Sequence, residues 1–328
     1  MESVVHLIRQ AFSQSRALCL AVAVLLLTIA LPGSAMAENR LLIVLSEKSR
    51  AYSEVAIAIQ AVLSEKKTPL VVNVADVSEI SQGGLSAPSP NLVVAVGIRA
   101  AEATASLEGH PAVLNLLLPR QSFERLARIR GKSESRAYSA IYFDQPYGRQ
   151  LDLIRQMLPG RNRVGVLFGQ SSKEGMAYLA NPAKQINFQL RAKEISSQEE
   201  LIPLLKALLA ESDVLLAVPE PTVFNSTNIQ GILLTTYRYG EPVIAFSPAY
   251  VKAGALAAVY STPAQIGTEA GEIIQKAVSG KKIMLPPPQY PNEFSISINY
   301  QVARSLGIAI DSEAVVYEKL KRSAEQEP

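Results

Sequence analysis

The residues able to do chemistry in this sequence stand directly after short apolar runs. Ser46, Glu47 and Tyr52 follow Leu41-Leu-Ile-Val-Leu45, and Ile98 and Arg99 follow Asn91-Leu-Val-Val-Ala-Val-Gly97. Further along, Gly169, Gln170 and Ser171 follow Arg163-Val-Gly-Val-Leu-Phe168, and Glu220, Thr222 and Asn225 follow Val214-Leu-Leu-Ala-Val218. Ser247 and Tyr250 follow Val243-Ile-Ala-Phe246. Hydroxyls, amides, two carboxylates, one guanidinium and aromatic rings in this arrangement suit non-covalent capture of a small solute by a few polar groups and apolar walls. Gly97 would let backbone N–H groups approach a ligand, and the start of the next helix favours an acid group. Arg99 fits a bidentate grip on that acid or an ordinary surface position. Thr222 and Asn225 fit either ligand hydrogen bonds or a helix cap. Glu220 suits an amine, and Phe246 and Tyr250 could stack on a ligand. Paired carboxylates such as Glu47 and Glu220 could also do acid–base work. The sequence shows no activated nucleophile, metal-ligand spacing or Walker-type phosphate loop beside them, so it does not read as an enzyme and implies no cofactor or metal.

Composition narrows the classes further. The chain has two histidines, His6 and His110, and one cysteine, Cys19. That leaves little for a His-based zinc site or for Ser-His-Asp or Cys-His catalysis. His110 before Pro111 reads as a surface turn residue. The formal charge of +3 carries no basic cluster, which argues against a nucleic-acid binder. Arg125, Arg128 and Arg130 read as a solvated helix face.

The first residues read as an export signal. Arg9 and Arg16 precede an uncharged apolar run from Ala17 to Leu31, Pro32-Gly33 breaks it, and Ser34-Ala35-Met36-Ala37 supplies small residues for cleavage after Ala37. The apolar run falls short of the ~20 residues a spanning helix needs. A mature chain without Cys19 has no thiol.

Beyond the signal, apolar runs of strand length alternate with amphipathic helical stretches, as in parallel α/β layers. In such sheets ligands bind outside the carboxyl ends of the strands. Residues 81–90 and 131–135 read as loops, Ala255-Leu-Ala-Ala-Val259 as a strand, Phe294-Ser-Ile-Ser-Ile298 as an edge strand, 313–322 as a terminal helix and 323–328 as a frayed tail. Tyr237 and Tyr239 read as packed at a helix end.

Taken in order, Val94-Ala-Val-Gly97, Gln150-Leu-Asp-Leu-Ile-Arg-Gln-Met-Leu-Pro159, Arg163-Val-Gly-Val-Leu167, Asp213-Val-Leu-Leu-Ala-Val-Pro219, Pro242-Val-Ile-Ala-Phe246, Ile266-Gly-Thr-Glu-Ala-Gly271 and Asn299-Tyr-Gln-Val-Ala-Arg-Ser-Leu-Gly307 resemble ABC-transporter substrate-binding proteins of the branch related to aromatic amino-acid binders. The resemblance implies a type I periplasmic-binding-protein fold, two Rossmann-like lobes joined by three crossovers with a ligand in the cleft. It places the crossovers near 140–145, 249–254 and 286–292. Lobe one would be 38–142 plus 252–286, lobe two 143–250 plus 288–320, and 321–328 a flexible tail. It implies a monomeric periplasmic protein that takes an amino acid or related carboxylate and docks on an inner-membrane ABC permease. Where amino-acid-binding relatives carry Asp-Pro after the fourth strand, this chain has Leu118-Pro119-Arg120. A ligand-independent accessory or sensor of the same fold stays open beside this reading.

Overall fold

The computed structural model describes residues 39–81, 89–105, 111–130, 137–280 and 282–326. The export signal, His110 and the 131–135 connection lie outside the described residues.

The first sheet forms from runs too apolar to leave either face in water. Its strands are β1 (Arg40–Leu45), β2 (Val71–Asp76), β3 (Leu92–Val96), β4 (Ala112–Leu118) and β5 (Tyr138–Tyr142). All pair in parallel in the order β2-β1-β3-β4-β5. Helices α1 (Arg50–Glu65), α2 (Val77–Ser81), α3 (Ile98–Ala105) and α4 (Arg120–Arg130) connect them. Every residue of β3 and β5 is buried, as expected of parallel strands covered on both faces.

The second sheet has the order β11-β10-β9-β8-β6-β7. Its strands are β6 (Arg163–Phe168), β7 (Gln189–Glu194), β8 (Val214–Leu216), β9 (Val243–Ala245), β10 (Ala257–Tyr260) and β11 (Ser295–Ile298). Only β11 runs antiparallel, at the edge. Its helices are α5 (Tyr147–Met157), α6 (Gly175–Gln185), α7 (Leu201–Leu209), α8 (Ile229–Arg238) and α9 (Pro248–Ala253), followed after β10 by α10 (Pro263–Val278) and after β11 by α11 (Tyr300–Ser305) and α12 (Glu313–Gln326).

α10 returns to the first lobe. Its Gly267 and Gly271 meet α1 so closely that a Cβ at either would lie 2.7–2.8 Å from Ala58, Val55 or Val62. The small residues let the two helix backbones pack together and seal one face of the first sheet, where Ile59, Leu63, Ile266 and Ile274 are buried in one cluster. In the second lobe α5, α6, α11 and α12 cover one face and α7, α8 and α9 the other.

Three chain crossings join the lobes, at residues 143–146, 261–262 and 286–294. A polar network binds them to each other. Gln145 Nε2 donates to Ser261 Oγ at 2.8 Å, and Ser261 Oγ donates to the carbonyl of Glu293. Arg149 Nη1 donates to Gln145 Oε1 at 2.6 Å and to the carbonyl of Pro291 at 3.2 Å. Gln145 and Ser261 are both buried.

Two boundaries differ from the sequence expectation. The second crossing falls at 261–262, not 249–254, because residues 248–253 form α9 and β10 pairs with β9 and β11 in the second sheet. Residues 252–260 therefore pack with lobe two. The frayed tail is also shorter, since α12 continues to Gln326, with Val316 and Leu320 buried against the second lobe. No helix among the described residues is long and apolar enough to cross a membrane.

Candidate functional site

In the first sheet β1 connects outward to β2 on one side and β3 lies on the other, so the loops after β1 and β3 part at a crevice. Such switch points are where open α/β sheets take ligands. Ser46 is buried here, and its Oγ accepts from Ala100 N at 2.9 Å, tying the loop to the start of α3. Gly97 turns the chain with φ +86°, and a Cβ on it would lie 2.7 Å from both Ser46 Oγ and Tyr52 OH. Ser46, Tyr52 and Gly97 thus form one constellation. Burial raises the Tyr52 phenol pKa, and Glu47 adds to the effect, so the hydroxyl remains a neutral donor at pH 7.

Glu47, Ile98 and Arg99 stand on the exposed rim. Arg99 is near Asp76, whose carboxyl is held below the usual range chiefly by Ser78, with Lys48 and Arg99 contributing. That is a surface charge group, the second of the two roles open to Arg99.

Gly97→Ala should therefore act twice. Left-handed backbone costs a non-glycine residue about 1–2 kcal/mol, and the methyl displaces Tyr52 or Ser46. We expect a loss of roughly 2 kcal/mol in urea unfolding, together with loss of whatever solute the first-lobe crevice holds.

The equivalent crevice of the second lobe lies between β6 and β8, and the protein fills it itself. Glu220 is 1% exposed. Its Oε2 accepts from Gly169 N at 3.1 Å and Ser172 Oγ at 2.7 Å, while its Oε1 accepts from Thr222 N at 3.2 Å and Thr222 Oγ1 at 2.8 Å. A carboxylate with four donors has no lone pair turned toward a ligand amine. Glu220 is a loop tie, which corrects the role expected of it, and it is not a partner of Glu47 in acid–base chemistry.

Asn225 also serves its own loop. Its Oδ1 accepts from Thr227 N and Asn228 N, both at 3.0 Å, and its Nδ2 donates to the Pro221 carbonyl at 2.8 Å. Thr222 and Asn225 thus organise the turn into α8. Gln170 and Ser171 stand exposed at the tip after β6.

Aromatic rings form the remaining wall. Phe246 lies 4.8 Å from Tyr250 and 6.2 Å from Phe224, centroid to centroid, and Phe143 of the first crossing meets it edge-on at 6.3 Å. Tyr250 OH donates to the Phe224 carbonyl at 2.7 Å, which fixes the ring. Ser247 beside them makes no side-chain capping bond to α9. Phe143 and Phe224 were not among the residues expected from sequence; their positions just past strand ends were the available signal.

A second group unites residues from both lobes near the first crossing. Arg120 stacks 3.6 Å above the Tyr178 ring and donates to Tyr290 OH at 3.2 Å and Glu124 Oε1 at 2.8 Å. Burial works against its charge, but Tyr290 and Glu124 outweigh this and leave its pKa raised. Asp144 Oδ2 accepts from Arg120 N at 2.8 Å, whereas Oδ1 is shielded from solvent and has no hydrogen-bond partner. Burial pushes this carboxyl up to about 6 against that hydrogen bond.

The arginines of α4 are not one solvated face. Arg128 is exposed, but Arg130 lies 4.7 Å over the Tyr138 ring and donates to the Pro111 carbonyl at 2.9 Å. Tyr237 and Tyr239 are 52% and 44% exposed, which corrects the packed positions expected for them. Two cavities, of about 440 and 610 Å³, lie beside α12 and between α10 and the third crossing, and strand-end loops line neither. Among the described residues no group of three or more His, Cys, Asp or Glu is arranged to hold a metal.

Two parallel α/β lobes, three crossings and facing strand-end loops define a two-lobed binding protein of the type I periplasmic-binding-protein fold. The family model for ABC transporter substrate binding proteins matches residues 144–321, more than half of the chain. The protein belongs to that family. A tyrosine-binding protein of Clostridioides difficile is 26% identical over 161 residues, 48% of this chain and 46% of the relative, so the match spans less than half of that relative's length.

Solved structures share the fold. An ABC domain from Streptococcus pneumoniae in complex with L-Trp has a TM-score of 0.62 and 18% identity, covering 86% of this chain and 98% of that one. A ligand-free, open substrate-binding protein with adhesive properties from Clostridium difficile has a TM-score of 0.67 and 17% identity, covering 84% and 96%. A periplasmic ribose ABC transporter protein from Conexibacter woesei has a TM-score of 0.53 and 10% identity, covering 87% and 97%.

Proposed function

We propose that this protein is the solute-binding component of an ABC import system. It takes an amino acid or related carboxylate between its lobes by hinge closure and presents the closed form to an inner-membrane permease. It works as a monomer in the periplasm after export and cleavage behind Ala37. The observation that carries this reading is the close-packed constellation of Ser46, Tyr52 and Gly97 at the switch point of lobe one, taken with the aromatic cluster of Phe246, Tyr250, Phe224 and Phe143 at the first crossing. Family membership and the tyrosine- and tryptophan-binding relatives support it.

The acid end of a solute would meet the N–H groups at the start of α3, and a planar side chain would lie against the rings. The lobe-two crevice takes no part, because Glu220 already saturates its donors. Ligand binding would favour the closed state by its differential affinity for it.

The test is a thermal-shift panel of L-tyrosine, L-tryptophan, the other amino acids and short carboxylates, followed by titration of the best solute. Stabilisation by an aromatic amino acid, weakened about tenfold or more in Phe246→Ala, is the expected result. No stabilisation by any amino acid or carboxylate would overturn it. The self-filled crevice of lobe two favours a second reading, an accessory protein acting through partner contacts, and that outcome would select it.

A further inference from the structure

Beyond the cleft, α4 of the first lobe and α6 of the second meet along a polar seam. On α4 the participants are Arg120, Gln121, Glu124 and Arg128, spaced to share one helix face. Opposite them stand Ser172, Glu174, Gly175 and Tyr178. Arg120 stacks on Tyr178 at 3.6 Å, and Tyr178 OH lies 3.2 Å from both carboxylate oxygens of Glu124, to which it donates. Gln121 Nε2 donates to the Ser172 carbonyl at 3.3 Å, and Arg128 pairs with Glu174 at 3.6 Å. Gly175 permits the approach: a Cβ there would lie 2.7 Å from Tyr147 OH, in the space that Gln121 also enters.

We propose that this seam is a clasp that holds the lobes together and sets their open–closed balance, whatever the cleft contains. Its chemistry suits a contact made and broken repeatedly. Arg120, Gln121, Glu124 and Tyr178 are polar or amphipathic and only partly buried, with the Arg120 and Glu124 side chains 26% and 23% exposed, so water can take over when the lobes part. A permanent interface would bury apolar side chains instead. Arg120 also links the clasp to the hinge, because it bonds Tyr290 of the third crossing while its backbone N–H bonds Asp144 of the first. Lobe separation must break the Arg120–Tyr178 stack and the Tyr178–Glu124 hydrogen bonds together.

The test measures lobe separation without any ligand. Spin labels would be placed at Ile129→Cys on α4 and Lys184→Cys on α6, both exposed, in the full chain with Cys19 replaced by serine. Distance distributions from pulsed electron resonance, with small-angle scattering as a label-free check, would be compared for the wild-type seam, Tyr178→Ala, Arg120→Lys and Tyr178→Phe. Tyr178→Ala should raise the open-to-closed ratio about three- to thirty-fold, the range of a partly desolvated cation–π contact. Arg120→Lys keeps the charge and the backbone bond to Asp144 but loses the planar stack, and should shift the same way. Tyr178→Phe keeps the ring under Arg120 and should shift less than Tyr178→Ala. Should Tyr178→Ala fail to fold, the two conservative variants carry the test. Unchanged distances in the folded variants would overturn the clasp, as would a wild-type seam already at the long distance.

Discussion

Glu220→Ala should destabilise the protein by about 3–5 kcal/mol, the loss of a buried charged group with several hydrogen bonds. The substitution removes the acceptor of Ser172 Oγ, Thr222 N and Thr222 Oγ1 and one of the two acceptors of Gly169 N, which also donates to Ser172 Oγ at 3.2 Å. Those donors converge on a site the size of a carboxylate, so acetate or formate should restore part of the melting temperature in Glu220→Ala and do nothing for the wild type. Glu220→Gln should lose less stability and show no rescue, because its amide fills the space while turning an N–H₂ toward one donor pair. Urea unfolding with and without acetate checks this. A loss under about 1 kcal/mol in Glu220→Ala would mean that the loops after β6 and β8 hold without the tie, and the lobe-two crevice would again be a candidate for ligand.

Asp144 should act with the opposite sign. Burial raises its carboxyl from the usual 3.8 to about 6, which corresponds to about 3 kcal/mol against the ionised form. The folded state therefore holds its proton more tightly than the unfolded state. This group's contribution is fully present below pH 3.8 and is lost as pH rises through about 6, so that at pH 7 the ionised side chain costs stability. Asp144→Asn keeps an oxygen for Arg120 N and removes the charge. We expect it to gain about 1–3 kcal/mol at pH 7 and nothing below pH 4. Urea unfolding across that range would show the two proteins converging at acid pH. A loss that grows as pH rises above about 4 would contradict this and would mean that the ionised carboxylate is held by a cation, with Arg120 contributing, whereas a constant loss at every pH would mean a role independent of the charge.

What the sequence made legible was local. Leu41-Leu-Ile-Val-Leu45 and Asn91-Leu-Val-Val-Ala-Val-Gly97 announce buried parallel strands because both faces must be apolar, and the polar tip after each marks the crevice. Sheet membership was harder to read. Ala257–Tyr260 is as apolar as any strand here, and nothing in its residues says that it pairs with β9 before the chain crosses back.

The role of Glu220 was hidden for a related reason. An acid between two prolines in a strand-end loop looks available, whereas Gly169 and Ser172, which satisfy it, lie 51 and 48 residues away in the chain. The clasp was hidden further still. Arg120, Tyr178 and Tyr290 come from α4, α6 and the third crossing, and their meeting depends on how the lobes approach, which no local periodicity encodes.

A solute held in the cleft should stay with the protein through purification. The protein would be purified from its native compartment without added ligand, and its mass measured under native and denaturing conditions. A discrete small molecule present in the first spectrum and lost in the second, with the mass of an amino acid or short carboxylate and absent from Gly97→Ala, is the predicted result. A bare protein in both spectra that the amino-acid and carboxylate panel also leaves unstabilised would contradict it.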